Sequence, residues 1–227
     1  MKQNYIHLTF VIDCSGSMQN KKEDIISSFN NFIKEQKEVK DGEVTTSLYS
    51  FNSIINRTFI NENINNVEEL NEYTYIPMGC TALNDAVGTA IDETGKFLAD
   101  MKEEDRPSKV MIIIMTDGLE NASKEYTLQQ VRDKIKHQEE VYSWEFIYIG
   151  SELKDDSQAS AYNIKNSFYG DAKQTRSFMA HLNRMSSDYR ASKNLIETSA
   201  TMDCFYTALN NETKEYEQKI GVKIKKD

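Results

Sequence analysis

The sequence predicts a doubly wound α/β domain: a mostly parallel six-stranded sheet with one antiparallel edge strand and helices on both faces. Three observations carry that reading. Apolar periodicity alternates along the chain between dense β-type runs and helical spacing, the signature of repeated strand–helix units. Val110 to Met115 is apolar without a break, as expected of a central parallel strand covered on both faces. A two-residue link, Asn52-Ser53, joins two strand-like runs, and so short a link permits only an antiparallel hairpin.

Taken in order, Tyr5–Ile12 is the first β-type run. Helical spacing of Ile25, Ile26, Phe29, Phe32 and Ile33 follows and ends near Gly42. Val44–Phe51 and Ile54–Ile60 are the hairpin strands. Residues 61–80 read as a connection with one short helical turn around Val67–Leu70, punctuated by Pro77 and Gly79. Leu83, Ala86, Val87, Ala90, Ile91, Phe97, Leu98 and Met101 mark the clearest amphipathic helix, and Pro107 closes the linker after it. Thr127 with Gln130 has the form of a capping box opening a helix to about Glu140. Trp144–Ile149 is a strand ended by Gly150. A weaker helix over 152–162, a short strand Ile164–Tyr169 and a helix carrying Phe178, Met179, Leu182 and Met185 complete a domain at residues 1–190. The remainder, 191–227, is polar. Only Phe205, Leu209, Tyr216 and Ile220 hint at a helical face there, so the tail is expected to be mobile or partly helical.

The residues that point to chemistry sit where two of these strands stop. Asp13-Cys14-Ser15-Gly16-Ser17 follows the first strand, and Thr116-Asp117-Gly118 follows the fourth. Thr81 follows Gly79-Cys80. Carboxylates and hydroxyls without a thiolate or imidazole cluster are hard oxygen donors, suited to Mg²⁺ or Mn²⁺ rather than zinc or copper. Ca²⁺ is the other candidate. Two oxygen-rich turns at strand ends place one metal site at the carboxyl edge of a parallel sheet, where open α/β sheets bind ligands. Taken singly, Ser15 or Ser17 could cap a helix starting near Met18, Thr81 could cap the Leu83 helix, and Asp117-Gly118 could be an ordinary turn. Jointly, those readings require three coincidences on one sheet edge.

Composition bounds the function. The chain has 227 residues and a formal net charge of −9, which argues against a nucleic-acid binder, whose footprint would be a basic patch. No apolar stretch approaches the ~20 residues of a membrane span. Met1-Lys2-Gln3-Asn4 leads directly into a strand-like run with no leader pattern. The three cysteines, Cys14, Cys80 and Cys204, lack metal-type spacing and fit a reducing compartment, so the cytoplasm is the expected location.

In the order and spacing of Asp13-Cys14-Ser15-Gly16-Ser17, Thr81 in Gly79-Cys80-Thr81-Ala82-Leu83, and Asp117 in Thr116-Asp117-Gly118, residues 4–190 resemble the von Willebrand factor A (vWA) family with its metal-ion-dependent adhesion site. The stretches Glu120-Asn121-Ala122-Ser123 and Trp144–Gly150 are similar to small stand-alone members from bacteria and phages. The resemblance implies a Rossmann-like sheet with one antiparallel edge strand. It implies hydroxyl ligands from Ser15, Ser17 and Thr81, and Asp13 and Asp117 acting directly or through water. It also implies that the sixth ligand is a Glu or Asp of a partner protein. Two carboxylates and three uncharged hydroxyls would leave such a cation able to attract an anion, and Gly16 is expected to let Ser15 and Ser17 face one ion.

Other residues carry weaker signals. Cys14 and Cys80 lie inside the motifs, where packing competes with a redox-responsive position beside the metal. His7, His137 and His181 are scattered without paired spacing. Tyr73, Tyr75 and Tyr126 lie in segments that could rim the site. No nucleophile elbow, phosphate-binding loop or dinucleotide fingerprint occurs. The expected function is therefore a divalent-metal-dependent protein-interaction module that catalyses nothing. The alternatives are a metal-assisted hydrolase or phosphotransferase with Asp13 as nucleophile, and a structural component of a phage or stress-response complex.

Overall fold

The computed structural model describes residues 1–150 and 157–220. Strands β1 (Lys2–Asp13), β2 (Glu43–Phe51), β3 (Ile55–Asn63), β4 (Pro107–Thr116), β5 (Glu145–Gly150) and β6 (Asn166–Tyr169) form one sheet in the order β3-β2-β1-β4-β5-β6. All neighbours are parallel except β2 and β3. The helices are α1 (Lys22–Glu38), α2 (Leu83–Asp100), α3 (Leu128–Tyr142), α4 (Ser157–Ala161), α5 (Ala172–Ala191) and α6 (Leu195–Ile220).

The period-two alternation of the central strands sorts the core into two layers. Ile6, Leu8, Phe10 and Ile12 of β1, with Met111, Ile113 and Met115 of β4, join the residues of α1, α5 and α6 on one face. Val11, Val110, Ile112 and Ile114 meet α2 and α3 on the other. The first layer is knit by aromatic contacts: Phe10 meets Phe29 edge-on at 5.3 Å between ring centres, and Phe178 lies 6.2 Å from Phe205. Both faces of β1 and β4 are thereby dry, which is why their runs are almost continuously apolar.

Several boundaries move. The helical turn expected at Val67–Leu70 sits earlier, as a 3₁₀ turn at Ile64–Asn66. Val67 and Leu70 are buried outside a helix, and Leu70 exchanges backbone hydrogen bonds of 2.8 Å with the Asn30 side chain of α1. Pro107 opens β4 instead of closing the linker; at a strand's first position its missing N–H breaks no central ladder bond. The capping box holds as expected: the Gln130 N–H donates to Thr127 Oγ1 at 3.3 Å, and the Thr127 N–H to Gln130 Oε1 at 2.8 Å. Of the helix expected over 152–162, Ser157–Ala161 is helical, and 152–156 lie outside the described residues.

Of the two forms expected for the tail, the helical one is seen, and it is long. α6 spans 26 residues. Met202, Phe205, Leu209, Thr213 and Tyr216 are all buried, a stripe at spacings of three, four, four and three. Thr213 completes that stripe with a hydroxyl turned back onto its own helix, donating to Leu209 O at 3.0 Å. A polar residue in the stripe is what made the segment read as sparse.

Candidate metal centre

Asp13 ends β1 and Thr116 ends β4, and Ile12 lies opposite Met115 in the parallel ladder between them. These are the two strands at which the sheet order reverses direction, so the motif turns open into the crevice where chains depart to opposite sides.

Asp13 is fully buried and held on both oxygens. Oδ1 accepts the Ser15 N–H at 2.7 Å, closing the turn, and Oδ2 accepts the Thr116 hydroxyl at 2.6 Å. Burial pushes its carboxyl above the usual carboxylate range, aided by the nearby charge of Asp117 and opposed by the hydrogen bonds from Thr116 and Ser15. From there a chain of oxygens runs outward. Ser15 Oγ lies 3.0 Å from Ser17 Oγ, and the Ser17 hydroxyl donates to Asp117 Oδ1 at 2.5 Å. Lys21 Nζ donates to the other oxygen, Oδ2, at 2.9 Å.

Thr81 enters from the start of α2. A Cβ placed on Gly118 would stand 2.8 Å from Thr81 Oγ1 and 3.2 Å from Asp13 Oδ2, so both oxygens converge on a backbone that only glycine keeps thin enough. The turn demand expected of Gly16 falls elsewhere. A Cβ there would meet only Gly79 O at 3.6 Å, whereas Gly79 itself has φ +75°. Gly79 O accepts the Gly16 N–H at 3.1 Å, and Cys14 O accepts the Met78 N–H at 2.8 Å. All five residues singled out from the sequence, Asp13, Ser15, Ser17, Thr81 and Asp117, are thus brought to one edge. Among the described residues no group of three or more His, Cys, Asp or Glu side chains converges. The donor set here is two carboxylates and three hydroxyls, chemistry that fits a hard divalent cation.

The sequence profile of the von Willebrand factor type A domain matches residues 7–181. The chain belongs to this family. Among solved structures, the vWA chain is similar to the PilB minor pilin from Streptococcus sanguinis, at TM-score 0.59 and 12% identity, covering 82% of this chain and 62% of that one. It is similar to the vWF domain of the type V pili tip protein Mfa5 from Porphyromonas gingivalis, at TM-score 0.56 and 12% identity, with 78% and 93% covered. The pilus adhesin SpaC from Lactobacillus rhamnosus GG matches at TM-score 0.61 and 13% identity, with 83% and 30% covered. At these identities the likeness is one of fold, and the chain spans less than two thirds of the PilB structure. No curated protein is detectably similar in sequence.

Residues outside the five candidate donors hold this vWA site in shape. Thr116 anchors Asp13, and the Tyr75 hydroxyl donates to Asp13 O at 2.5 Å from beneath. The segment after Asp117 is stitched to the start of α2. Thr81 N–H donates to Asn121 Oδ1 and Asn84 N–H to Glu120 Oε2, while Asp85 accepts three backbone N–H groups from Lys124, Glu125 and Tyr126. An acidic residue in a helix's first turn was the one available signal for Asp85. Of the tyrosines expected to rim the site, Tyr73 is exposed, Tyr75 is buried under it, and Tyr126 points its hydroxyl away, to Asp92.

The histidines stand apart from the site. His7 is buried among Thr45, Thr9 and Phe97, and burial pushes its pKa down to about 3. His181 contacts Glu212 between α5 and α6, and His137 stacks edge-on with Tyr142. Cys14 lies in the core with its thiol pushed up to about 11 by burial, whereas Cys80 is exposed.

Proposed function

We propose that this vWA domain binds an acidic side chain of a partner protein through one divalent cation, and that it catalyses nothing. The observation that carries this reading is the convergence of Asp13, Ser15, Ser17, Thr81 and Asp117 at the sheet's switch point. These five residues would hold Mg²⁺, with Mn²⁺ and Ca²⁺ as alternatives. The cation would supply a Lewis-acidic position open to a carboxylate. Ile54, Ile76, Met78 and Leu119 are exposed on the segments flanking the motif. Segments 52–54 and 76–80 are tied to it by the Cys80 N–H to Ser53 Oγ and the Met78 N–H to Cys14 O. Exposed apolar side chains around a polar centre suit a protein partner better than a small polar substrate.

No helix among the described residues is long and apolar enough to cross a membrane. We take the cytoplasm as the compartment, on the three free thiols Cys14, Cys80 and Cys204.

The enzymatic alternative gains one feature: Lys21 puts a cation beside Asp117. Among the described residues no histidine stands at the site to move a proton, which favours binding over turnover. Capture on immobilised protein in Mg²⁺ and in chelator, followed by titration of the purified captured protein, tests the proposal. Binding should be lost on chelation, on Thr81→Ala and on Asp117→Ala, and should weaken when an Asp or Glu of the partner is neutralised. Partner binding indifferent to these changes, or metal-dependent hydrolysis of a phosphate ester that Asp13→Ala abolishes, would overturn it.

A further inference from the structure

The ion pair between Lys21 and Asp117 lies at the outer end of the oxygen chain. Lys21 closes the 3₁₀ turn Gly16–Lys21 that leads from the Asp13 motif into α1. Its ammonium takes Asp117 Oδ2, the oxygen that Ser17 leaves free. The Asp117 side chain is 8% exposed and that of Lys21 27%. The groove around them is lined by Met18, Ile25, Met115 and Ile149. Solvent and salt therefore screen this pair less than they would a surface pair.

The charge at the site depends on that contact. Two carboxylates and one divalent cation sum to zero; Lys21 raises the sum to +1. On a chain of net charge −9, a carboxylate ligand approaches against the overall field, so the local sign matters.

We propose that Lys21 sets the charge of the metal centre: by occupying the outer oxygen of Asp117 it weakens the site's hold on a divalent cation and leaves the loaded site cationic, selective for an anion. The inference rests on the metal-centre reading above. Like charges a few ångströms apart in a partly buried site shift an affinity by roughly tenfold or more. A residue that only oriented Asp117 would act with the opposite sign, because its loss would free the ligand and loosen the metal.

The test is Mn²⁺ titration, by calorimetry and by the paramagnetic signal of free Mn²⁺, of the wild type, Lys21→Met and Lys21→Arg, with folding of each checked by circular dichroism. Lys21→Met should bind Mn²⁺ at least about tenfold more tightly, and Lys21→Arg should stay within about twofold of wild type. Relaxation of acetate carbon by protein-bound Mn²⁺ should fall in Lys21→Met, because the site has lost its positive excess. Equal or weaker Mn²⁺ binding by Lys21→Met overturns the role of Lys21 while leaving the metal centre standing. A wild type that takes up no Mn²⁺ overturns the metal centre itself.

Discussion

Asp13 is a fully buried carboxylate whose two oxygens are each spoken for, one by a backbone N–H and one by the Thr116 hydroxyl. Thr116→Val keeps the shape and removes the donor. It should cost about 1–3 kcal/mol in denaturant titrations, the penalty of leaving a buried acceptor short of its partner. A second residue-scale effect concerns His7, held neutral with a pKa of about 3 against 6.5 when exposed. The unfolded chain binds a proton that the folded chain refuses between those values. Stability should therefore be full above pH 6.5 and fall by up to about 1.4 kcal/mol per pH unit below it. His7→Gln should flatten that part of the profile, and an unchanged slope would remove His7 as its source. At this scale the five oxygen donors were legible because each stands in a short contiguous motif. Thr116 as the anchor of Asp13, Lys21 on Asp117 and Asp85 under the 124–126 backbone were not legible. Each joins positions about 40 to 100 residues apart, and nothing local in the sequence pairs them.

At the scale of elements, α6 changes how the chain divides. Its buried stripe enters the same core layer as α1 and α5, and Phe205 lies against Phe178. Phe205→Ala should cost about 3–5 kcal/mol, read from the shift of the denaturation midpoint at unchanged slope. A loss below 1 kcal/mol would mean that the helix merely rests on the domain. The strands and most helices were legible because their periods are strong and their caps explicit, as at Thr127 and Gln130. α6 was half-legible: four apolar positions marked a face, but Thr213 interrupted it and dense charge surrounded it. The turn at Ile64–Asn66 was displaced because Val67 and Leu70, apolar at helical spacing, are buried outside a helix and tied to α1, Val67 through Lys37 and Leu70 through Asn30. Tertiary contact there outweighs the local period.

For the whole molecule, two apolar layers on either side of a six-stranded sheet supply the folding energy, so the cation is expected to be a passenger on a finished fold. Chelation should lower the melting temperature by only a few degrees, as mass action requires, with an unchanged far-ultraviolet spectrum. The overall fold class was legible from the alternation of periods and the hairpin link. The ion pair at the switch point was not, because it forms where the turn after β1 meets the end of β4. The most direct measurement is a calorimetric titration of chelator-stripped protein with Mg²⁺ and Mn²⁺, in the wild type and in Asp13→Ala. The wild type should take up one ion, and the variant none while keeping its circular dichroism. Uptake of an ion with equal affinity by Asp13→Ala, or no uptake by the folded wild type, would contradict a metal centre at the ends of β1 and β4.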